Sequence, residues 1–213
     1  GYNNTYDEST NTYDNGYPSG GNYWDDYTGE DNFSGPNQNI SGPDGIGDTP
    51  YLIPGGSNQD RYPLMHPYGT KYIFDFDDRD PEFITLMGQW KEINTPNAYN
   101  GHTRYIKPGI GLYRAAWRVD TKIIPGTYDV YVHKFEHPYM HMMATDAPYA
   151  VVHKDGVSGW FYVNQSSLGD EWIQIGTFKF DNSKAQGVII EDCPSGFVAA
   201  DAIRLVYTGA LSQ

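Results

Sequence analysis

The stretch Thr127-Tyr128-Asp129-Val130-Tyr131-Val132-His133 decides the fold. It alternates strictly. Tyr128, Val130 and Val132 fall on one side of an extended chain, and Asp129, Tyr131 and His133 on the other. A period of two predicts a strand with one face against a core. Pro125-Gly126 just before it supplies the turn. Working outward, the same reading gives strands over 112–119, 148–153, 157–163, 172–180, 188–191 and 197–207, with Lys154-Asp155-Gly156 as a hairpin turn. No long helical period and no fixed repeat interrupt them. The expectation is an all-β protein, an antiparallel β-sandwich or jelly roll after about residue 71. Trp117 and Trp172 alternate with apolar neighbours and read as core.

Residues 1–70 differ. They are rich in Asn, Gly, Asp, Tyr and Pro and poor in aliphatics, a composition that normally means loop. The many aromatics there, among them Tyr13, Tyr17, Tyr23, Trp24, Tyr27, Tyr51 and Tyr62, predict instead an irregular segment pinned by ring stacking and by an ion. Pro63, Pro67 and Gly69 mark the boundary to the sandwich at 71–213.

The formal net charge of −13 disfavours nucleic acid, which needs basic patches, and anionic membranes. It suits cations or neutral glycans. No apolar run approaches the roughly 20 residues that span a bilayer. The single cysteine, Cys193, forbids an intrachain disulfide and reads as a small buried apolar residue. Asn-x-Ser/Thr sequons at Asn3, Asn32, Asn39 and Asn164 suit a secreted glycoprotein. The opening Gly1 suits a processed product.

Five stretches carry a family resemblance: residues 125–131 (PGTYDVY), 144–149 (ATDAPY), 163–165 (VNQ), 172–178 (WIQIGTF) and 196–204 (GFVAADAIR). In that order and spacing, residues 72–208 resemble the golvesin/xanthan-lyase carbohydrate-binding-like domains. The resemblance implies a β-sandwich found on secreted enzymes and surface proteins. In the last stretch Asp201 and Arg204 sit among apolar residues, so each needs a partner: hydrogen-bond donors from a loop for Asp201 and a carboxylate for Arg204. Residues 20–27 (GGNYWDDY), 44–51 (DGIGDTPY) and 58–64 (NQDRYPL) resemble the C-terminal module of NosD-like archaeal surface proteins, over about 13–68.

Within that segment Asp44-Gly45-Ile46-Gly47-Asp48 sets two carboxylates and an intervening carbonyl, at Ile46, around a tight glycine turn. Hard oxygens suit calcium. Asp25, Asp26, Glu30 and Asp31 are the further donors in reach. The other reading is a turn whose aspartates cap backbone N–H groups. His137, Met140, His141, Met142 and Met143 make a soft-ligand cluster of the type copper(I) favours, and read more simply as an apolar loop. For stacking on sugar rings the candidates are Trp90, Trp160, Tyr99 and Tyr105. Nothing catalytic stands out: no Gly-x-Ser-x-Gly turn, no His-Glu-x-x-His run and no phosphate-cradling glycine loop. The sequence therefore predicts a non-catalytic, secreted or cell-surface protein. Its partner is either itself, as a filament or surface-layer homopolymer, or a surface polysaccharide.

Overall fold

A computed structural model describes residues 5–41, 43–67, 72–181, 183–209 and 211. Asn3, Gly69 and Lys71 lie outside the described residues. The chain forms two compact units, Gly1–Lys71 and Tyr72–Gln213.

Among its described residues the first unit has two short antiparallel pairs, β1 (Phe33–Ser34) with β2 (Ile40–Ser41) and β3 (Tyr51–Leu52) with β4 (Gln59–Asp60). Such short ladders cannot hold a fold alone. Side chains take over. Trp24 stacks on Tyr51 with centroids 4.4 Å apart and planes 8° apart. Asp60, fully buried, accepts bonds from Trp24 Nε1 (3.0 Å) and from the Asn22 and Tyr62 amides (2.6 and 3.1 Å). Arg61 grips Asp14 through Nε and Nη2 at 3.1 and 2.7 Å.

The second unit runs β5 (Ile73–Asp77), β6 (Phe83–Met87), β7 (Lys91–Asn94), β8 (His102–Ile106), β9 (Arg114–Arg118), β10 (Gly126–Lys134), β11 (Ala147–His153), β12 (Gly156–Val157), β13 (Phe161–Val163), β14 (Glu171–Phe180), β15 (Gly187–Glu191), β16 (Val198–Ala200) and β17 (Ala202–Gly209). One sheet has the order β14-β10-β17-β5 and a second the order β12-β11-β15-β9-β6, with β13 also on β11. A third, β16-β8-β7, completes the unit. Every strand pair in these sheets is antiparallel. The first two sheets meet across one core. Tyr128, Val130, Val132, Ile203 and Leu205 from one face Trp117, Tyr149, Val151, Val188 and Ile190 from the other, all essentially inaccessible to water. Each such apolar side chain contributes about 1.5–3 kcal/mol by leaving water. Close approach is built in at Gly187, where a Cβ would lie 1.8 Å from the Trp117 carbonyl oxygen.

The expected sandwich is thus present, with three local corrections. The 157–163 strand is broken into β12 and β13, because the Ser158 hydroxyl accepts the Val151 N–H at 2.8 Å and occupies the ladder. The 197–207 strand is broken at Asp201, whose side chain is turned to other partners. Trp172 is not core: it lies half-buried on the outer face of β14, under the Arg204 guanidinium at 4.2 Å. Alternation along β10 also fails at its end. His133 and Lys134 are both buried, Lys134 because Nζ is held by the Leu168 carbonyl (2.8 Å) and Glu171 (3.0 Å).

Candidate functional site

Strand β8 places two kinds of chemistry on its two faces. Thr103 and Tyr105 point one way, His102 and Arg104 the other. On the first face Ile93 of β7 sits opposite Thr103, and Ala199 of β16 opposite Tyr105. The segment from Phe135 to Met143 lies along this floor and closes a pocket of about 260 Å³. Its walls are Tyr105, Phe197, Phe135, His137, Tyr139, Met142 and Met143. Tyr105 and Phe197 meet edge to face at 6.0 Å. His137 is flanked by Phe135 (5.7 Å) and Tyr139 (5.8 Å).

The pocket carries no Asp, Glu, Lys or Arg. Its imidazole is set for one task. The Tyr139 amide donates to His137 Nδ1 at 3.0 Å, so the ring proton sits on Nε2 as a donor. Burial pushes the His137 pKa down and favours this neutral form. Rings around uncharged donors, the His137 imidazole among them, in a space just under the roughly 300–1,000 Å³ of a drug-sized site, suit a single uncharged ring-sized group.

The other face of β8 meets a buried polar network. His102 Nδ1 lies 2.7 Å from Asp78 Oδ1, and Nε2 lies 3.4 Å from Asp77 Oδ2. Arg104 Nε lies 3.4 Å from Asp78 Oδ2. Burial, with help from Asp77, pushes Asp78 up to about 7. Next to it, Asp201 accepts the Tyr99 amide at 3.1 Å and faces His133 Nδ1 at 2.5 Å. Arg204 forks onto Asp75 at 2.7 and 2.8 Å. Both charges in the last strand thus have the partners their sequence context demands. Burial and then Asp75, which accepts the Tyr99 hydroxyl at 2.8 Å, push Tyr99 up to about 12.

The four expected sugar-stacking aromatics are scattered. Tyr105 lines the pocket. Tyr99 is held edge-on against Trp172 at 5.4 Å and bonded to Asp75, so its hydroxyl is committed. Trp90 is a correction: it is 8% exposed, inside the core cluster, with Nε1 donating to the Met87 carbonyl at 3.3 Å. Trp160 is 41% exposed beside the turn after β12. Sequence reasoning missed Phe197, Phe135 and Tyr139, and read His137–Met143 as a soft-ligand cluster or, more simply, an apolar packing loop rather than as a pocket wall. The usable signal was density: Phe135, His137, Tyr139 and His141 with the thioethers of Met140, Met142 and Met143 within one short span, too many for an ordinary exposed connection.

In the first unit the Asp44–Asp48 loop uses its carboxylates on the backbone. Asp31 accepts the Asp44 and Gly45 amides (3.0 and 2.8 Å), Asp48 those of Asn32 and Phe33 (2.9 and 3.0 Å), and Asp44 that of Ile46 (3.1 Å). Asp25 and Asp26 are exposed, with Asp26 accepting the Tyr51 hydroxyl at 2.9 Å. Among the described residues these carboxylates bring no three ligand atoms within 4.8 Å of one another; Asp77, Asp78 and His102 do. Asn32, Asn39 and Asn164 are exposed. Cys193 is buried, 6% exposed.

A family model described as the Golvesin C-terminal domain matches residues 75–207. Among solved structures, a Paenibacillus xanthan lyase determined to 2.6 Å is similar over 73% of this chain, with 25% identity and a TM-score of 0.58. The match takes in only 16% of that chain. The catalytic domain of a GH87 alpha-1,3-glucanase in complex with nigerose aligns over 66% of this chain and 28% of its own, at 8% identity and a TM-score of 0.36, too low to carry an argument. No curated protein matches. The family match does not reach residues 13–68, where the NosD-like resemblance is without support.

Proposed function

This chain belongs to the Golvesin C-terminal domain family, and we propose on that premise that it is a non-catalytic, secreted carbohydrate-binding module. The observation that carries this reading is the pocket walled by Tyr105, Phe197, Phe135 and Tyr139, with His137 Nε2–H as its donor. Flat rings stack on the C–H faces of a pyranose, and the neutral His137 donor reads one of its hydroxyls. The absence of charge in the lining and the net −13 point to a neutral sugar rather than a uronate. Retention of the intact protein on a panel of neutral and acidic polysaccharides tests this. Retention by neutral glycans supports it; retention by uronate polymers alone refutes it.

A second reading is self-assembly into a filament or surface layer at the cell surface. It is favoured by the rim of the second sheet, where Val157 is 65% and Tyr162 66% exposed, next to Trp160. Exposed apolar edges invite strand addition by another copy. Size-exclusion and electron microscopy of native material separate the two: isolated monomers exclude the homopolymer. Calcium at the Asp44–Asp48 loop belongs to the same proposal. Its support is Asp31, which burial and then the charges of Asp44 and Asp48 push up to about 6, an excess of negative charge that a cation relieves. Glycans on Asn3, Asn32, Asn39 and Asn164 are likewise proposed, and mass spectrometry of native protein tests them.

A further inference from the structure

We propose that a cleft beside the ring pocket binds an isolated anionic group, a uronate carboxylate or a sulfate ester, on the sugar next to the one the pocket holds. The proposal rests on the sugar reading of that pocket and adds a second subsite to it. In β7 and β8 Lys91 lies directly opposite Tyr105, as Ile93 lies opposite Thr103. Opposite residues share one face of a sheet. The floor of the pocket therefore continues past Tyr105 onto Lys91. A second cleft of about 470 Å³ opens there, and Tyr105 is the wall common to both. Lys91, Lys107, Gln89 and Tyr113 supply the rest of its polar lining.

The makeup of this cleft runs against the rest of the molecule. The chain has 27 acidic residues for 14 basic ones, yet among the described residues the lining holds two lysines and no carboxylate. Every arginine is tied to a carboxylate, and so are Lys122 and Lys134. Among the described residues Lys91 and Lys107 have neither an ion-pair nor a hydrogen-bond partner. The Gln89 amide and the Tyr105 and Tyr113 hydroxyls are equally uncommitted there. Donors from five side chains around one hollow suit a ligand made of acceptor oxygens, and the two ammonium groups favour a charged one. The wall is built in place. The Tyr113 ring packs on Gly88, where a Cβ would lie 2.6 Å from it, and the Tyr113 amide donates to Asp192 Oδ1 at 2.5 Å. Just beyond Lys107 the Gly109 amide donates to the Cys193 carbonyl at 3.0 Å. The net charge of −13 repels a polyanion, so the glycan that fits carries separated charges between neutral sugars.

The test measures dissociation constants of the intact protein for two sets of polymers. One set is heteropolysaccharides that mix neutral and uronic acid residues, each beside its carboxyl-reduced form. The other is sparsely sulfated galactans beside their desulfated forms, which tells the two anions apart. The expected result is tighter binding of at least one native polymer than of its neutralised form, by a margin that shrinks as salt rises. Lys91→Gln and Lys107→Gln should each cut that margin about two- to fivefold. Lys184→Gln, exposed and outside the cleft, should leave it unchanged. Lys91 and Lys107 are themselves exposed, so glutamine there leaves the sandwich folded. Equal binding of native and neutralised forms throughout overturns the anion site and leaves the neutral-sugar pocket standing. So does a margin that survives the double variant Lys91→Gln/Lys107→Gln. Binding that vanishes entirely in the neutralised forms supports the anion site and refutes a neutral sugar in the pocket. No binding to any polymer overturns both.

Discussion

The Arg204 guanidinium lies 4.2 Å above the Trp172 ring while its two nitrogens fork onto Asp75. One side chain thereby ties β17 to β5 on one side and to the β14 aromatic on the other, on the outer face of the sheet. A planar fork does both at once; an ammonium does not. Arg204→Lys should cost about 1 kcal/mol, the sum of a weakened stack and a loosened, partly buried ion pair. Urea denaturation should show it, with Trp172 fluorescence changing in the native state.

The sandwich core depends on backbone proximity at Gly187. A methyl group there meets the Trp117 carbonyl oxygen at 1.8 Å. Gly187→Ala should therefore destabilise the second unit by more than about 2 kcal/mol, because β15 must move away from β9. Thermal unfolding followed by circular dichroism measures this. A loss within about 0.5 kcal/mol of zero contradicts the packing described.

Asp60 organises the first unit in place of a β-ladder. Asp60→Ala strands the Trp24 indole N–H and the Asn22 and Tyr62 amides. The buried indole N–H left unpaired costs about 1–3 kcal/mol, and the two more open amides less. The expected outcome is local loss of protection at Trp24 and Tyr62 in hydrogen exchange, with the second unit's amides unchanged.

Asp31 gives the first unit an inverted pH response. Its folded value of about 6 exceeds the ordinary 3.8, so the folded unit holds the proton more tightly than the unfolded chain. This contribution is fully present below about 4 and fades as pH rises from about 4 to about 6. Asp31→Asn should narrow the stability difference between pH 4 and pH 7 relative to wild type, measured by hydrogen exchange at the 44–48 amides. Added calcium at pH 7 should stabilise the wild type and a chelator reverse it. An unchanged melting curve removes calcium from the account.

How much of this was legible in the sequence depends on which interaction does the ordering. Period-two alternation at Tyr128, Val130 and Val132 is a local property, so β10 and the sandwich were readable. The partners of Asp201 and Arg204 were readable in kind, since buried charge must be matched, but not in identity: Asp75 lies 129 residues from Arg204. Trp90 and Trp172 exchanged their expected places. Whether a ring is covered depends on the strand across from it, not on its own neighbours. The pocket was invisible for the same reason. Tyr105, Phe135 and Phe197 come from three separate segments: the pairing of β8 with β16 sets Tyr105 near Phe197, and the chain leaving β10 adds Phe135. In the first unit the aspartates read equally well as ligands or caps, because both roles use the same oxygens.

The most direct measurement is a calorimetric titration of neutral oligosaccharides into the wild type, Tyr105→Ala and Trp160→Ala. One saturable site in the wild type, retained in Trp160→Ala and weakened at least about tenfold in Tyr105→Ala, is the predicted result, since covering a large apolar side chain contributes about 1.5–3 kcal/mol and about 1.4 kcal/mol is tenfold. Equal affinity in Tyr105→Ala and the wild type, or loss confined to Trp160→Ala, contradicts a sugar in this pocket.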